Sequence, residues 1–252
     1  MKSMAATDEN IFRFAGEWPD VRRFHLVGIG GISMSGLAEI LLRLGFEVSG
    51  SDQQRSALTD RLASLGATIF LGHDSGQVND SDVVVFSAAV APDNPELVQA
   101  RANGTLLLSR ADLLDGFCRQ GKTVAIAGTH GKSTTTTMIG LMLLDCGFDP
   151  TLIVGGVIPA LGSNVRMGRG PYLAVEADEY SRSFLELTPE IAVVTSIDAD
   201  HLEYYGNQDS IDEAFLAFIH ATPCYQPVVL CLDDPGVHRL LPRIRRRVLT
   251  YG

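Results

Sequence analysis

Thr123-Val124-Ala125-Ile126-Ala127-Gly128-Thr129-His130-Gly131-Lys132-Ser133 runs from an apolar stretch into a glycine-rich turn, and Thr134 to Leu144 can continue as a helix. The order is strand, loop, helix. Such a turn aims backbone N–H groups and the positive end of a helix dipole at one point, where phosphate oxygens are well held. Lys132 would lie along the β and γ phosphates, and the Ser133 hydroxyl is placed to ligate Mg²⁺. The standard loop has one more glycine, at the position where Ile126 stands. The same residues also fit a plain loop ahead of a surface helix, but strand, turn and helix signals agree in order.

The second half of the chain repeats the apolar pattern at Tyr172 to Glu176, Ile191 to Ile197, Val228 to Leu232 and Val248 to Tyr251. Continuous Val, Ile and Leu runs suit a parallel sheet buried on both faces. Two of these strands end in acidic sets, Glu176-Ala177-Asp178-Glu179 and Asp198-Ala199-Asp200-His201. Strand carboxyl ends line the ligand crevice of an open parallel sheet, so these sets should converge on the Lys132 loop. Mg²⁺ takes oxygen ligands and keeps waters, which makes Ser133 and Glu176 plausible ligands; His201 is a less usual one.

Upstream, Phe24 to Val27 reads as a buried strand, Gly28-Ile29-Gly30-Gly31 as a turn, and Ile32 to Leu44 as a helix with Leu37, Ile40, Leu41 and Leu44 at helical spacing. Strands near Val48 to Asp52, Thr68 to Leu71, Asp82 to Ser87 and Thr105 to Leu108 alternate with helices near Ser56 to Leu65 and Pro95 to Ala102. The fold class is therefore α/β: a Rossmann-like N-terminal domain, then a central domain like the P-loop NTPases, with a mostly parallel sheet. Residues 1–21 read as a mobile start, 22–120 as the first domain and 121–252 as the second, with the junction at Gly121. Gly28, Gly30 and Ser33 form an imperfect dinucleotide fingerprint in which Ser33 replaces the third glycine and Gly36 comes later. Asp52, at the end of the next strand, can bond a ribose or a turn amide, and the pattern alone fits NAD and a uridine diphosphate ligand equally.

The chain's 252 residues, 46% hydrophobic and 20% charged, are enough for a packed core. A formal charge of −10 argues against nucleic-acid binding, and the run Arg243-Ile244-Arg245-Arg246-Arg247 reads as a solvated helix end and strand start. No apolar run approaches the ~20 residues of a membrane span, and the first twenty residues, with Asp8, Glu9, Arg13, Glu17 and Asp20, lack the apolar core of a signal peptide. Cys118, Cys146, Cys224 and Cys231 lack metal or disulfide spacing, which implies free thiols and a cytoplasmic address.

Gly28 to Gly36, Ser49-Gly50-Ser51-Asp52, Gly128 to Thr137, Glu176 to Glu179 and Asp198 to His201, taken in this order, resemble the Mur ligase family, ATP-dependent amide-forming enzymes of peptidoglycan synthesis. The resemblance implies that Gly28, Gly30, Gly31, Ser33, Ser35, Gly36, Asp52 and Ser87 bind a UDP-linked substrate and that Gly128, Thr129, His130, Gly131, Lys132, Ser133 and Thr134 bind ATP. It implies Lys132, Glu176 and His201 as catalytic residues, and Mg²⁺ held by Ser133, Glu176 and His201. The implied partners are UDP-N-acetylmuramate, L-alanine and ATP, joined through an acyl phosphate. Members of the family carry a third, C-terminal domain that closes over ATP, so this chain is expected to bind substrate and turn over poorly by itself. Several relatives place a carbamoylated lysine near the metal, yet no lysine follows Lys132. A non-catalytic UDP-sugar-binding module, an NAD-dependent oxidoreductase and a related amide ligase, such as a tripeptide-adding or folate-polyglutamating enzyme, are the competing readings.

Overall fold

The computed structural model describes residues 20–158 and 161–252, so all but Asp20 and Val21 of the expected mobile segment lies outside the described residues. The first sheet has the order β3-β2-β1-β4-β5, all parallel, from β1 (Arg23–Val27), β2 (Glu47–Asp52), β3 (Thr68–Leu71), β4 (Val83–Phe86) and β5 (Leu106–Ser109). Strand order reverses between β1 and β4. The carboxyl ends of those two strands therefore open the crevice in which such sheets hold ligands.

Helices α1 (Ile32–Arg43), α2 (Ala57–Ser64), α3 (Pro95–Asn103) and α4 (Arg110–Cys118) cover this sheet. α1 buries Met34, Leu37, Ala38, Ile40 and Leu41, the apolar stripe legible in its sequence. α2 starts at a capping box between Ser56 and Thr59, and α4 at one between Ser109 and Asp112.

The second sheet has the order β12-β11-β10-β6-β9-β7-β8 and is parallel except for the final pair. Its strands are β6 (Lys122–Ala127), β7 (Thr151–Ile158), β8 (Ser163–Arg166), β9 (Tyr172–Glu176), β10 (Ile191–Val194), β11 (Pro227–Cys231) and β12 (Arg247–Tyr251). Between them lie α5 (Lys132–Asp145), α6 (Leu202–Tyr205), α7 (Gln208–Ala221) and α8 (Pro235–Leu240). β6 sits centrally, flanked by β9 and β10, so the three polar strand ends singled out in the sequence are neighbours.

Several elements differ from the sequence expectation. β10 stops at Val194 rather than Ile197, because Thr195 and Ser196 turn aside to bond the glycine loop. The hairpin of β7 and β8 is not apparent in the sequence, since Gly155-Gly156 interrupts its apolar run; a Cβ at Gly155 would stand 2.9 Å from Glu176 Oε1. This hairpin crosses to the first domain, where Asn164 Nδ2 donates to Ile32 O at 2.8 Å and Ser163 Oγ donates to Glu39 Oε2 at 3.2 Å. The principal cluster of buried apolar residues spans both sheets, from Phe24, Ile40 and Phe117 to Leu173, Phe184 and Phe215, with smaller clusters around Val84 and Val154.

The arginine run is tied to the fold. Arg246 Nε donates to Thr222 O at 2.7 Å, the Arg245 amide donates to His220 Nε2, and Arg243 pairs with Glu213. All four cysteines are free, and among the described residues no helix is long and apolar enough to cross a membrane.

Candidate active site

The central loop is built by its neighbour strand. Thr129 N donates to Ser196 O at 3.0 Å, His130 N to Ser196 Oγ at 2.9 Å, and Thr195 Oγ1 to His130 O at 2.6 Å. The Asp198 amide donates to Thr129 Oγ1 at 2.9 Å. These bonds fix the loop without consuming the amides of Lys132, Ser133 and Thr134, which a helix's first turn leaves without intrahelical partners. The first bond of α5 runs from Thr135 N to Gly131 O. The loop thus presents an unfilled cluster of donors at a helix N-terminus.

Lys132 Nζ donates to Gly128 O at 2.6 Å and to Glu179 Oε1 at 2.9 Å, and stands 2.8 Å from Glu179 Oε2 without hydrogen-bond alignment to it. Both side chains are largely buried. Burial nevertheless outweighs the ammonium and pushes the Glu179 carboxyl above its ordinary value. Tyr205, whose phenol burial raises to about 12, donates to Glu179 O at 2.6 Å. Glu179 belongs to the quoted acidic run, but nothing in the sequence distinguishes it from Glu176 as the carboxylate that meets Lys132.

Glu176 instead accepts from Gly155 N at 2.7 Å and faces an interdomain cavity of about 220 Å³ shared with Asp178, Ser33 and Arg110. Ser133 and Thr134 line a separate groove of about 310 Å³ between α5 and β7, with Val154 bordering both spaces. His201 caps α6 in a left-handed conformation, with its ring 5.2 Å from that of Tyr180 and its Nδ1 3.6 Å from Glu203. Among the described residues no three His, Cys, Asp or Glu side chains form a preassembled metal cluster. Ser133 Oγ and the Glu176 carboxylate do suit Mg²⁺ chemically, because that ion takes a few oxygens and completes its shell with water and phosphate.

The N-terminal cavity, of about 510 Å³, is lined by Gly28, Gly31, Asp52 and Ser87 together with His73 and Asn94. Of the two roles open to Asp52, the structure gives it the turn amide, with Gly30 N donating to Oδ2 at 2.9 Å. The remaining fingerprint residues lie elsewhere. Ser33 faces the interdomain cavity, Ser35 Oγ donates to Ile32 O at 2.9 Å, and a Cβ on Gly36 would stand 2.6 Å from Asn164 Nδ2.

His73 rests on a buried carboxylate that the sequence reading passes over. Ser51 Oγ donates to Glu96 Oε2 at 2.6 Å, His73 Nδ1 lies 3.3 Å from the same oxygen, and the buried His25 Nε2 is 3.7 Å from Oε1, a charge contact beyond hydrogen-bond range. Burial raises the Glu96 carboxyl, but the nearby His25 ring, the bond from Ser51 and the nearby His73 ring bring it below its ordinary 4.5. A carboxyl lowered on folding stabilises above 4.5, and that stability is lost as pH falls through the folded value. Glu96→Gln is therefore expected to cost about 2 kcal/mol at pH 7. Urea unfolding should show this gap to wild type narrowing below pH 4.5; a gap constant with pH would refute the assignment.

Two largely parallel sheets, one opening on a glycine turn and the other on a lysine-bearing loop, thus face a shared cavity that holds Glu176, Asp178 and Arg110. The chain belongs to the Mur ligase family: the family's catalytic-domain model matches residues 23–122 and its middle-domain model residues 126–252. Over 232 residues it is 51% identical to the UDP-N-acetylmuramate–L-alanine ligase of Solidesulfovibrio magneticus, covering 92% of this chain and 51% of that protein. It is 54% identical to the corresponding ligase of Sorangium cellulosum, covering 92% and 50%.

Among solved structures, the UDP-N-acetylmuramate-alanine ligase of Thermotoga maritima matches with a TM-score of 0.79 and 33% identity, over 86% of this chain and 51% of that one. The UDP-N-acetylmuramate:L-alanyl-γ-D-glutamyl-meso-diaminopimelate ligase of Neisseria meningitides matches with a TM-score of 0.85 and 26% identity, over 92% and 78%. The chain spans about half the length of the curated relatives it matches.

Proposed function

We propose that this chain supplies the acceptor-binding and ATP-binding parts of a ligase that joins L-alanine to UDP-N-acetylmuramate. A carboxylate does not acylate an amine directly at neutral pH. In the proposed reaction an oxygen of the muramyl carboxylate attacks the γ phosphorus of ATP and ADP leaves. The L-alanine amine then attacks the acyl carbon, phosphate leaves, and the ammonium gives up its proton.

The observation that carries this reading is the interdomain cavity. One wall, with Ser33, follows the turn that lines the nucleotide pocket, and the other, with Glu176, belongs to a strand paired in register with Ile126, two residues before the phosphate loop. An acceptor seated across α1 and a γ-phosphate on the Lys132 loop would meet there. Gly28, Gly31, Asp52 and Ser87 would hold the uridine diphosphate, and Gly128 to Thr134 the ATP phosphates. Lys132 would leave Glu179 for the phosphate chain, offsetting charge on the transferring group. Ser133 and Glu176, with His201, are the residues assigned to Mg²⁺, which when bound screens phosphate charge and orients the γ-phosphoryl group.

The test is calorimetric titration of this chain with UDP-N-acetylmuramate and with NAD, and separately with ATP and Mg²⁺. Binding of the UDP-sugar and of ATP, with no response to NAD, is the expected result. NAD binding without the UDP-sugar would overturn the proposal and make the Lys132 loop structural.

A further inference from the structure

Arg110 opens α4 and is the sole cation among the residues lining the interdomain cavity. It forms no ion pair among the described residues, and its one hydrogen bond runs from Nη2 to Ser183 Oγ at 3.2 Å. The two carboxylates of the same cavity are engaged elsewhere. Glu176 accepts from Gly155 N at 2.7 Å and Asp178 Oδ1 from Tyr180 N at 3.0 Å. A half-buried guanidinium with five donors and a single hydrogen bond thus lines a space whose other charged side chains are both negative.

The turn before α1 serves two cavities. Gly28 and Gly31 line the nucleotide pocket, whereas Ile32 and Ser33 line the interdomain one. No side chain caps this helix. A diphosphate resting on its free first-turn amides would leave a nucleotide base on one side and project the attached sugar into the cavity on the other. If that sugar carries a carboxylate, Glu176 and Asp178 repel it, and Arg110 is the side-chain cation of the cavity lining that can offset them. The planar guanidinium fork matches a carboxylate bidentately, which an ammonium cannot do.

We propose that Arg110 is a specificity-determining residue that receives the lactyl carboxylate of the muramyl sugar and so separates this acceptor from neutral N-acetylhexosamine nucleotides. The assignment rests on the functional reading above. It requires the acid-bearing sugar to bind more tightly than its neutral parent, by an amount that depends on Arg110.

The experiment is calorimetric titration of the wild-type chain, Arg110→Gln and Arg110→Lys with UDP-N-acetylmuramate and with UDP-N-acetylglucosamine, which lacks the lactyl group. Wild type is expected to favour the muramyl nucleotide by about 10- to 100-fold, the range of a charge-assisted pair. Arg110→Gln should erase that preference by weakening the muramyl nucleotide alone, and Arg110→Lys should keep part of it. A preference unchanged in Arg110→Gln, or an equal fall for both nucleotides, overturns the assignment. If the wild-type chain binds neither nucleotide, the underlying functional reading fails, and this assignment with it.

Discussion

A Lys132→Ala chain will lose both its hold on ATP and several kcal/mol of stability, and a second substitution at Glu179 will separate the two losses. The ammonium contacts both oxygens of a carboxylate that is 6% exposed. Removing one member of a buried pair strands the other, at a cost of about 3–5 kcal/mol. The pH dependence follows from the direction of the Glu179 shift. A carboxyl raised above its ordinary 4.5 binds its proton more tightly in the folded state, so stability falls as pH rises from 4.5 through the folded value.

Without Lys132 the folded value rises further. The variant should therefore lie nearest wild type in mild acid and furthest from it at neutral pH. Lys132→Ala/Glu179→Gln removes the stranded charge and should recover most of the stability at pH 7. ATP affinity should stay down by about 10- to 100-fold in both variants, because charge-assisted bonds to phosphate are lost in each. Urea midpoints at pH 5 and 7.5 with ATP calorimetry decide the matter. Equal stability of single and double variants, or undiminished ATP binding, would refute it.

Gly128→Ala should be nearly as damaging, by a different route. Gly128 has φ 143°, outside the range comfortable for a side chain, and a Cβ there would lie 2.1 Å from Thr195 Oγ1 and 2.9 Å from Ser196 N. Neither neighbour can yield easily. Thr195 Oγ1 donates to His130 O, and the Ser196 amide is backbone in the strand end that shapes the loop. Overpacking and backbone strain together cost about 3 kcal/mol. Adding Thr195→Ala removes the nearer clash and should restore part of the midpoint while leaving the φ strain. No recovery in the double variant would mean that the φ strain and the Ser196 backbone contact carry the loss.

The first domain was largely legible because each strand and helix carries its own period, and the observed bounds of α1, β2, β3 and α3 fall within about a residue of those expected. The hairpin of β7 and β8 was not, because Gly155 answers to a Glu176 side chain 21 residues away rather than to its own neighbours. α7 is absent from the expected elements although Asn207 caps it and Ile211, Ala214, Phe215, Phe218 and Ile219 recur at helical spacing. At the site, the Lys132 loop and the acidic strand ends could be read from residue type and position. Glu179 as the partner of Lys132, Glu96 beneath His73, and Ser33 and Arg110 on one cavity wall depend on contacts between distant segments, for which no local pattern exists.

The contiguous cluster from Phe24 to Phe215 bears on what counts as a part of this molecule. Two sheets and a junction near Gly121 mark a seam in topology, yet the seam is crossed by packed side chains and by the hydrogen bonds of Ser163 and Asn164 to α1. Severing the chain there would expose apolar surface on both fragments, at about 25 cal/mol for every Å² uncovered. The two halves are therefore expected to unfold together, and exchanging either one between proteins would leave behind an apolar face in need of a new partner.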